Sequence, residues 1–540
     1  MSIRDWAISM QTKPSAECRA PGFLKTLKRA EAGNVLPMMA MALVPIAGMV
    51  GSGLDMSRAY MTKAKLQTAC DSAALAARRY MAGNPFSRDA DANGEPDAKT
   101  EGKKFFAFNF PEGTMGTAPV TPSITATGDV VTITASTAVP TTIMKMFGKN
   151  EIELSTTCDA DQDYVNNDIM LVLDVTGSMN CTAGTDCDYQ ATEQSNSRIS
   201  KLRSAAGALY RALSDADAGV RIRYGFMPYS MTVNVGKDLN TGWVRTTSPY
   251  MVQNADGSFS YQNVAHDGTW MSNWRSTASA HADKGCVEER STISTNVDSN
   301  TIRISSDVAQ ADLDTVSTID DRRKWHPYDP GANRREEFRP PYLSQADFDR
   351  FFPNNLRSFC PAPARRLATY ATEAAFNTEL NRAVSRVGGM TNHDLGMMWA
   401  ARYMSGATGA MFAADNPDVL NAMRVDRHIV FLTDGEMTSY GFNYSAYGMP
   451  DYQNRWNTSG VTPEQLVAKH QARFLNACNR ARQMGPNGTT VWVIALDVGS
   501  TSSISPCASG SDRFFISNGT DLESVFDTIG KEIGKLRLTR

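Results

Sequence analysis

From Ala32 to Leu54 the sequence AGNVLPMMAMALVPIAGMVGSGL carries no charged residue, and its length matches the roughly 20 helical residues that a bilayer core requires. The spacing predicts one membrane span over 32–54. Pro37 and Pro45 would break a helix in water, but membrane helices tolerate proline where the freed backbone groups find other partners. Gly33, Gly48, Gly51 and Gly53 suit close packing. Ahead of the span stand Arg4, Lys13, Arg19, Lys25, Lys28 and Arg29 against Asp5, Glu17 and Glu31, a bias that puts residues 1–31 in the cytoplasm. A cleaved secretory signal is the rival reading; its apolar core is shorter and ends at a small-residue cleavage site. Here the helical pattern runs on from Asp55 to Ala82 without Gly or Pro, so an uncleaved anchor continued by a helix over 55–82 is expected.

A chain of 540 residues is too long for one ordinary core. Its 42% apolar and 21% charged content is that of a globular protein. A net charge of −3 gives no electrostatic case for a nucleic-acid partner. The nine cysteines form neither a CxxC pair nor a zinc-finger spacing with histidine. Cys18 precedes the span and the other eight follow it, so an oxidising compartment beyond the membrane would let those eight pair. Isolated buried thiols are the alternative.

Residues 83–165 read as a connector and a small β unit. The connector is polar apart from Phe105, Phe106, Phe108 and Phe110, which suggest a docking patch. In SITATGDVVTITAS, β-rich arms flank Gly128-Asp129, a pair suited to a hairpin turn. From 166 to 540 the texture becomes βα alternation. Nearly continuous apolar runs at 168–174, 221–227, 428–433 and 490–496 predict central strands covered on both faces. Between and after them, Ile199, Leu202, Ala206, Leu209 and Leu213, and Leu522, Phe526, Ile529, Ile533 and Leu536, recur at helical spacing. The expected fold class is α/β, a doubly wound, mainly parallel sheet. The stretch from about 235 to 375 interrupts this rhythm and is expected to be a large surface insertion with structure of its own. Its Trp and Tyr residues are expected to form a satellite core.

The run DIMLVLD leads straight into Val175-Thr176-Gly177-Ser178-Met179, at the carboxyl end of a strand, where open α/β sheets bind ligands. Asp174, Thr176 and Ser178 offer hard oxygens on alternate residues, a chemistry suited to Mg²⁺, with Mn²⁺ or Ca²⁺ as alternatives. Thr391 in GGMTNHDLG and Asp434 in HIVFLTDGEM add oxygens at matching places. These five are the candidate metal ligands, with one position left for a partner's carboxylate. His393 and Asp394 are read as structural, and with neither a GxSxG nor an HExxH motif present, no catalytic residue and no small-molecule substrate is assigned.

DVTGSM, GGMTNHDLG and FLTDGE resemble the metal-ion-dependent adhesion site of von Willebrand factor A domains, with Thr176 where serine is usual. The segment from Gly33 to Arg79, together with PYSMTVNVG, GCVEER, CPAPA and the closing CASGSDRFF and KLRLTR, resembles TadG-like proteins of the Flp (tight-adherence) pilus system. That resemblance implies a single-pass protein of the bacterial inner membrane whose A-like domain faces the periplasm. It would bind protein partners of pilus assembly or of the envelope rather than act as an enzyme. A structural scaffold whose domain packs without metal is the alternative function. Gly33 is not followed by the Glu that pilin processing needs, so no pilin-type cleavage is expected. Candidate bridges are Cys181 with Cys187, Cys286 with Cys360, Cys478 with Cys507 and Cys70 with Cys158, among the 105 pairings that eight cysteines allow.

Overall fold

The computed structural model describes residues 35–534, apart from 82–97, 128–129, 162–164, 186, 188, 215–219, 255, 257, 277, 279–280, 282, 296–300, 331–343, 345, 347–356, 421–422 and 457–461. Residues 1–34, with Gly33 and Cys18, and the Gly128-Asp129 turn lie outside the described residues. The chain divides into two compact units that meet between Asp161 and Gln162.

The first unit is built on one helix, α1, Val35–Met81. Among the described residues it is the one helix long and apolar enough to cross a membrane. Its two halves differ in what they meet. Met38, Met41, Leu43 and Met49 are 62–76% exposed. The other half buries an apolar stripe at helical spacing, Leu66, Ala69, Cys70, Ala73 and Ala77. Against it pack α2, Ala98–Asn109, and an antiparallel sheet of β1 (Ser123–Thr127), β2 (Val130–Pro140) and β3 (Glu151–Asp161). The region read as a polar connector thus contains a helix. Gly102 and Phe106 lie four apart on its inner face, Phe110 follows just past its end, and a Cβ on Gly102 would come within 2.8 Å of Ile124 and 3.1 Å of Ala77. The phenylalanine run is divided: Phe106 and Phe110 are core, while Phe105 and Phe108 face outward. A disulfide joins Cys70 to Cys158.

The second unit is organised by a sheet in the order β10-β5-β4-β12-β13-β14. These are Arg365–Ala368, Ile222–Tyr229, Asn166–Asp174, Met423–Thr433, Thr489–Leu496 and Phe514–Ser517. Four of the five contacts are parallel; β10 closes one edge antiparallel, and a short β11 (Val419–Leu420) pairs antiparallel with β12. Alternate residues of each central strand enter two separate cores, as the two-residue period of a strand requires. On one face Met170, Val172, Tyr229, Ile429, Phe431 and Val493 meet α6 (His393–Met404) and α7 (Pro463–Arg482). On the other, Ile169, Leu171, Leu173, Val430, Leu432 and Ile494 meet α3 (Arg198–Ala205), α4 (Gly207–Ser214), α5 (Glu373–Ala383) and α8 (Leu522–Ile533). With both faces covered, polar alternation is absent and the strands read as continuous apolar runs.

Between β5 and β10 lie the hairpin of β6 (Thr247–Gln253) with β7 (Phe259–Ala265) and the two-residue pair β8 (Val287–Glu288) with β9 (His326–Pro327). Trp274 and Trp325 of this stretch are fully buried in the same core as Trp399 of α6, not in a satellite; Tyr328, Cys286 and Cys360 form a smaller cluster with Tyr444. Few aliphatic residues are needed there because each aromatic ring buries a large area. Disulfides join Cys181 to Cys187, Cys286 to Cys360 and Cys478 to Cys507.

Candidate metal centre

β4 and β12 are parallel neighbours in a register that pairs Leu173 with Leu432, so their carboxyl ends, and the aspartates there, leave the sheet side by side. Asp174 is fully buried. Its Oδ1 accepts the Thr176 backbone N–H at 2.9 Å, folding the loop into a tight turn, and its Oδ2 accepts the Thr433 hydroxyl at 2.7 Å and the Tyr229 hydroxyl at 3.4 Å. The Thr176 and Ser178 hydroxyls are 2.9 Å apart, and Ser178 donates to Asp434 Oδ1 at 2.8 Å. Four of the five candidate ligands thus form one hydrogen-bonded group. Thr391 is brought to the same loop by backbone: Gly388 N–H donates to Val175 O at 2.8 Å and Gly177 N–H to Gly389 O at 3.2 Å. Thr391 itself is tied to Thr438 through main-chain and side-chain bonds of 3.1 and 3.2 Å. Gly389 has a φ of +80°, and a Cβ there would come within 2.8 Å of Phe359, so the turn that presents its carbonyl to Gly177 requires glycine.

Three further residues belong to the site. Arg198, at the start of α3, donates to Asp434 Oδ2 at 3.2 Å and to Asp497 Oδ2 at 3.0 Å. Asp497 follows β13 with a left-handed φ of 59°. Asp174, Asp434 and Asp497 therefore stand at the ends of three adjacent parallel strands. The string LDV at 496–498 repeats the strand-end aspartate of LDV at 173–175 and was a readable signal; nothing local marks Arg198. Tyr229 ends β5 next to Asp174.

Burial pushes the Asp434 carboxyl up to about 7, helped by the charge of Asp174 and opposed by Arg198. Burial likewise raises Asp174, against the hydrogen bonds from Thr176, Thr433 and Tyr229. Asp434 shares the Arg198 guanidinium with Asp497, while the groups bonded to Asp174 are neutral, so ionising both Asp174 and Asp434 leaves negative charge in excess. Among the described residues no three His, Cys, Asp or Glu side chains cluster as a metal cage; a cation here would take its oxygens from hydroxyls and two carboxylates, a donor set that fits a hard divalent ion. His393 is fully buried with Nε2 2.9 Å from the Thr433 hydroxyl, and burial pushes its pKa down to about 3, so it is neutral. Asp394 faces Tyr447, His470 and Arg473 within the core.

Among solved structures, the chain is similar to the pilus adhesin SpaC from Lactobacillus rhamnosus GG (12% identity, 77% of this chain and 34% of that chain, TM-score 0.29). It is also similar to the vWF domain of the type V pili tip protein Mfa5 from Porphyromonas gingivalis (10%, 68% and 95%, TM-score 0.30) and to the PilB minor pilin from Streptococcus sanguinis (12%, 77% and 78%, TM-score 0.30). This chain spans about a third of the length of SpaC. Residues 33–82 match the family model described as putative Flp pilus-assembly TadE/G-like. No curated protein matches the sequence.

Proposed function

We propose that this is a membrane-anchored protein of Flp pilus assembly or surface adhesion, facing the periplasm and binding a protein partner through a divalent cation, without catalytic activity. The reading takes the second unit as a doubly wound, von Willebrand factor A-like domain carrying the 235–375 insertion. The observation that carries it is the meeting of Asp174, Thr176, Ser178 and Asp434 at the ends of adjacent parallel strands, in a chain whose residues 33–82 match a pilus-assembly family model. Residues 1–31 would lie in the cytoplasm and α1 would cross the inner membrane. Four disulfides beyond the apolar half of α1 support an oxidising compartment on that side.

When bound, Mg²⁺ would supply the positive charge that the two carboxylates lack and an acceptor for a partner's carboxylate. Asp174, Thr176, Ser178, Thr391 and Asp434 would hold it. Tyr229, Thr433 and His393 orient Asp174 from beneath. A second reading, a structural scaffold that needs no metal, is favoured by Arg198, whose guanidinium already bridges Asp434 and Asp497.

Capture of envelope partners by the solubilised full chain, with and without chelator, separates the two. We expect partner loss on chelation and in Asp174→Ala, and a Mg²⁺-dependent stabilisation of about 2.7 kcal/mol at a hundredfold excess over Kd that the variant lacks. Partner binding and thermal stability indifferent to both would refute the metal reading.

A further inference from the structure

We infer that the loop between β2 and β3, Thr141–Lys149, enters the face of a lipid bilayer beside α1 and forms a second membrane contact. The inference rests on the reading of α1 as a membrane span. The loop folds back against the end of the apolar half of that helix. A Cβ on Gly51 would collide with Ile143, and one on Gly48 would come within 3.1 Å of the Phe147 ring; these glycines seat the loop. Asp55, the first charged residue after the apolar stretch, is 3% exposed and accepts three consecutive loop N–H groups, from Thr142, Ile143 and Met144, at 2.9, 2.9 and 2.8 Å. One turn further on, Arg58 donates to the Thr142 hydroxyl at 2.8 Å. The polar backbone of the loop is therefore anchored at the charged boundary of α1, and its tip is held next to apolar helix.

That tip is apolar and uncovered. Met146 is 83% and Phe147 55% exposed, and the neighbouring helix surface of Val44, Met49 and Val50 is exposed as well. Gly48 lies about 10 Å before Asp55 along the helix, a depth that matches the 5–10 Å to which interfacial apolar faces sink below the headgroups. The loop, TTIMKMFGK, has no acidic residue. Its two lysines, Lys145 and Lys149, are exposed and long enough to return their ammonium groups to anionic headgroups while the stems stay in the apolar layer. Continuity with the exposed apolar helix makes lipid, rather than a soluble protein, the occupant.

The test reconstitutes the full chain into phosphatidylcholine and phosphatidylglycerol vesicles with or without acyl-chain bromine, a contact quencher of indole fluorescence. Phe147→Trp and, as a second reporter on the same loop, Met146→Trp are compared with Leu43→Trp in the span. Emission is taken as the difference from wild type, and the Cys70–Cys158 bond, read by mass spectrometry, verifies folding. The inference expects the added emission to be lost in brominated vesicles for the loop reporters and for Leu43→Trp alike. Quenching at position 43 with none at 146 or 147 overturns the loop insertion and leaves the anchor standing. Quenching at none of the three overturns both.

Discussion

Glu289→Gln should cost the protein about 3–5 kcal/mol, because it removes one partner of a buried ion pair and strands the other. Glu289 is fully buried. Its Oε1 accepts Arg402 Nη1 at 2.7 Å and the Trp399 indole N–H at 2.8 Å, and its Oε2 accepts Arg402 Nη2 at 3.1 Å. Arg402 is in turn flanked by the Trp399 and Trp325 rings, 4.7 and 5.3 Å from its guanidinium carbon. The pair thus ties the stretch after β5 to α6, the helix that begins two residues after Thr391. Burial would raise the Glu289 carboxyl, but Arg402, then Arg473 and Arg290, hold it below its usual 4.5. A depressed carboxylate stabilises the fold above the unfolded-state pKa, and that contribution disappears as pH falls through the folded-state pKa. The gap between wild type and Glu289→Gln should therefore be full at pH 7 and narrow below pH 4.5. Urea unfolding of the solubilised chain, followed by tryptophan fluorescence, measures it. The double variant Glu289→Leu/Arg402→Met, which leaves neither charge alone, should recover much of the loss, with a coupling of about 2–3 kcal/mol. A single-variant loss below about 1 kcal/mol at pH 7, or strict additivity in the cycle, would refute the argument.

Two other perturbations follow from buried groups and bridges. His326 is held neutral by burial, with Arg455, Arg245 and His266 adding to the effect, and lies well below its usual 6.5. The unfolded chain takes up a proton there and the folded one does not, so this residue removes about 1.4 kcal/mol of stability per pH unit as pH falls below 6.5; His326→Asn should flatten that limb of a stability-against-pH curve by this slope. Cys286 and Cys360 close a separation of 74 residues, which corresponds to about 4 kcal/mol of chain entropy. The double serine variant should lose stability of that order in urea, and an unchanged midpoint would count against it.

The sequence announced the central strands because each is buried on both faces, and its longest apolar runs became β4, β5, β12 and β13. The edge strands β10 and β14 escaped notice: four residues each, half exposed in pattern, they carry too little apolar periodicity to stand out. α2 was hidden by Gly102, which reads as a breaker and serves instead as a contact surface. Asp174 and Asp434 were legible because they end strands, and the Thr176 and Ser178 hydroxyls because they share a loop with one; Asp497, which also ends a strand, was passed over. Arg198 was not, since its role depends on three separated strand ends converging in space. Trp274 and Trp325, expected in a satellite core, join the main core instead because the chain between β5 and β10 packs onto α6, a contact between segments far apart in sequence.

α1 runs for 47 residues without interruption, about 70 Å of continuous rod. A flexible tether would absorb a pull as entropy. A single helix whose far half is wedged against a sheet and bonded through Cys70 to β3 hands any load on the first unit directly to its own apolar half, so that tension there is borne by covalent and packed structure from the start.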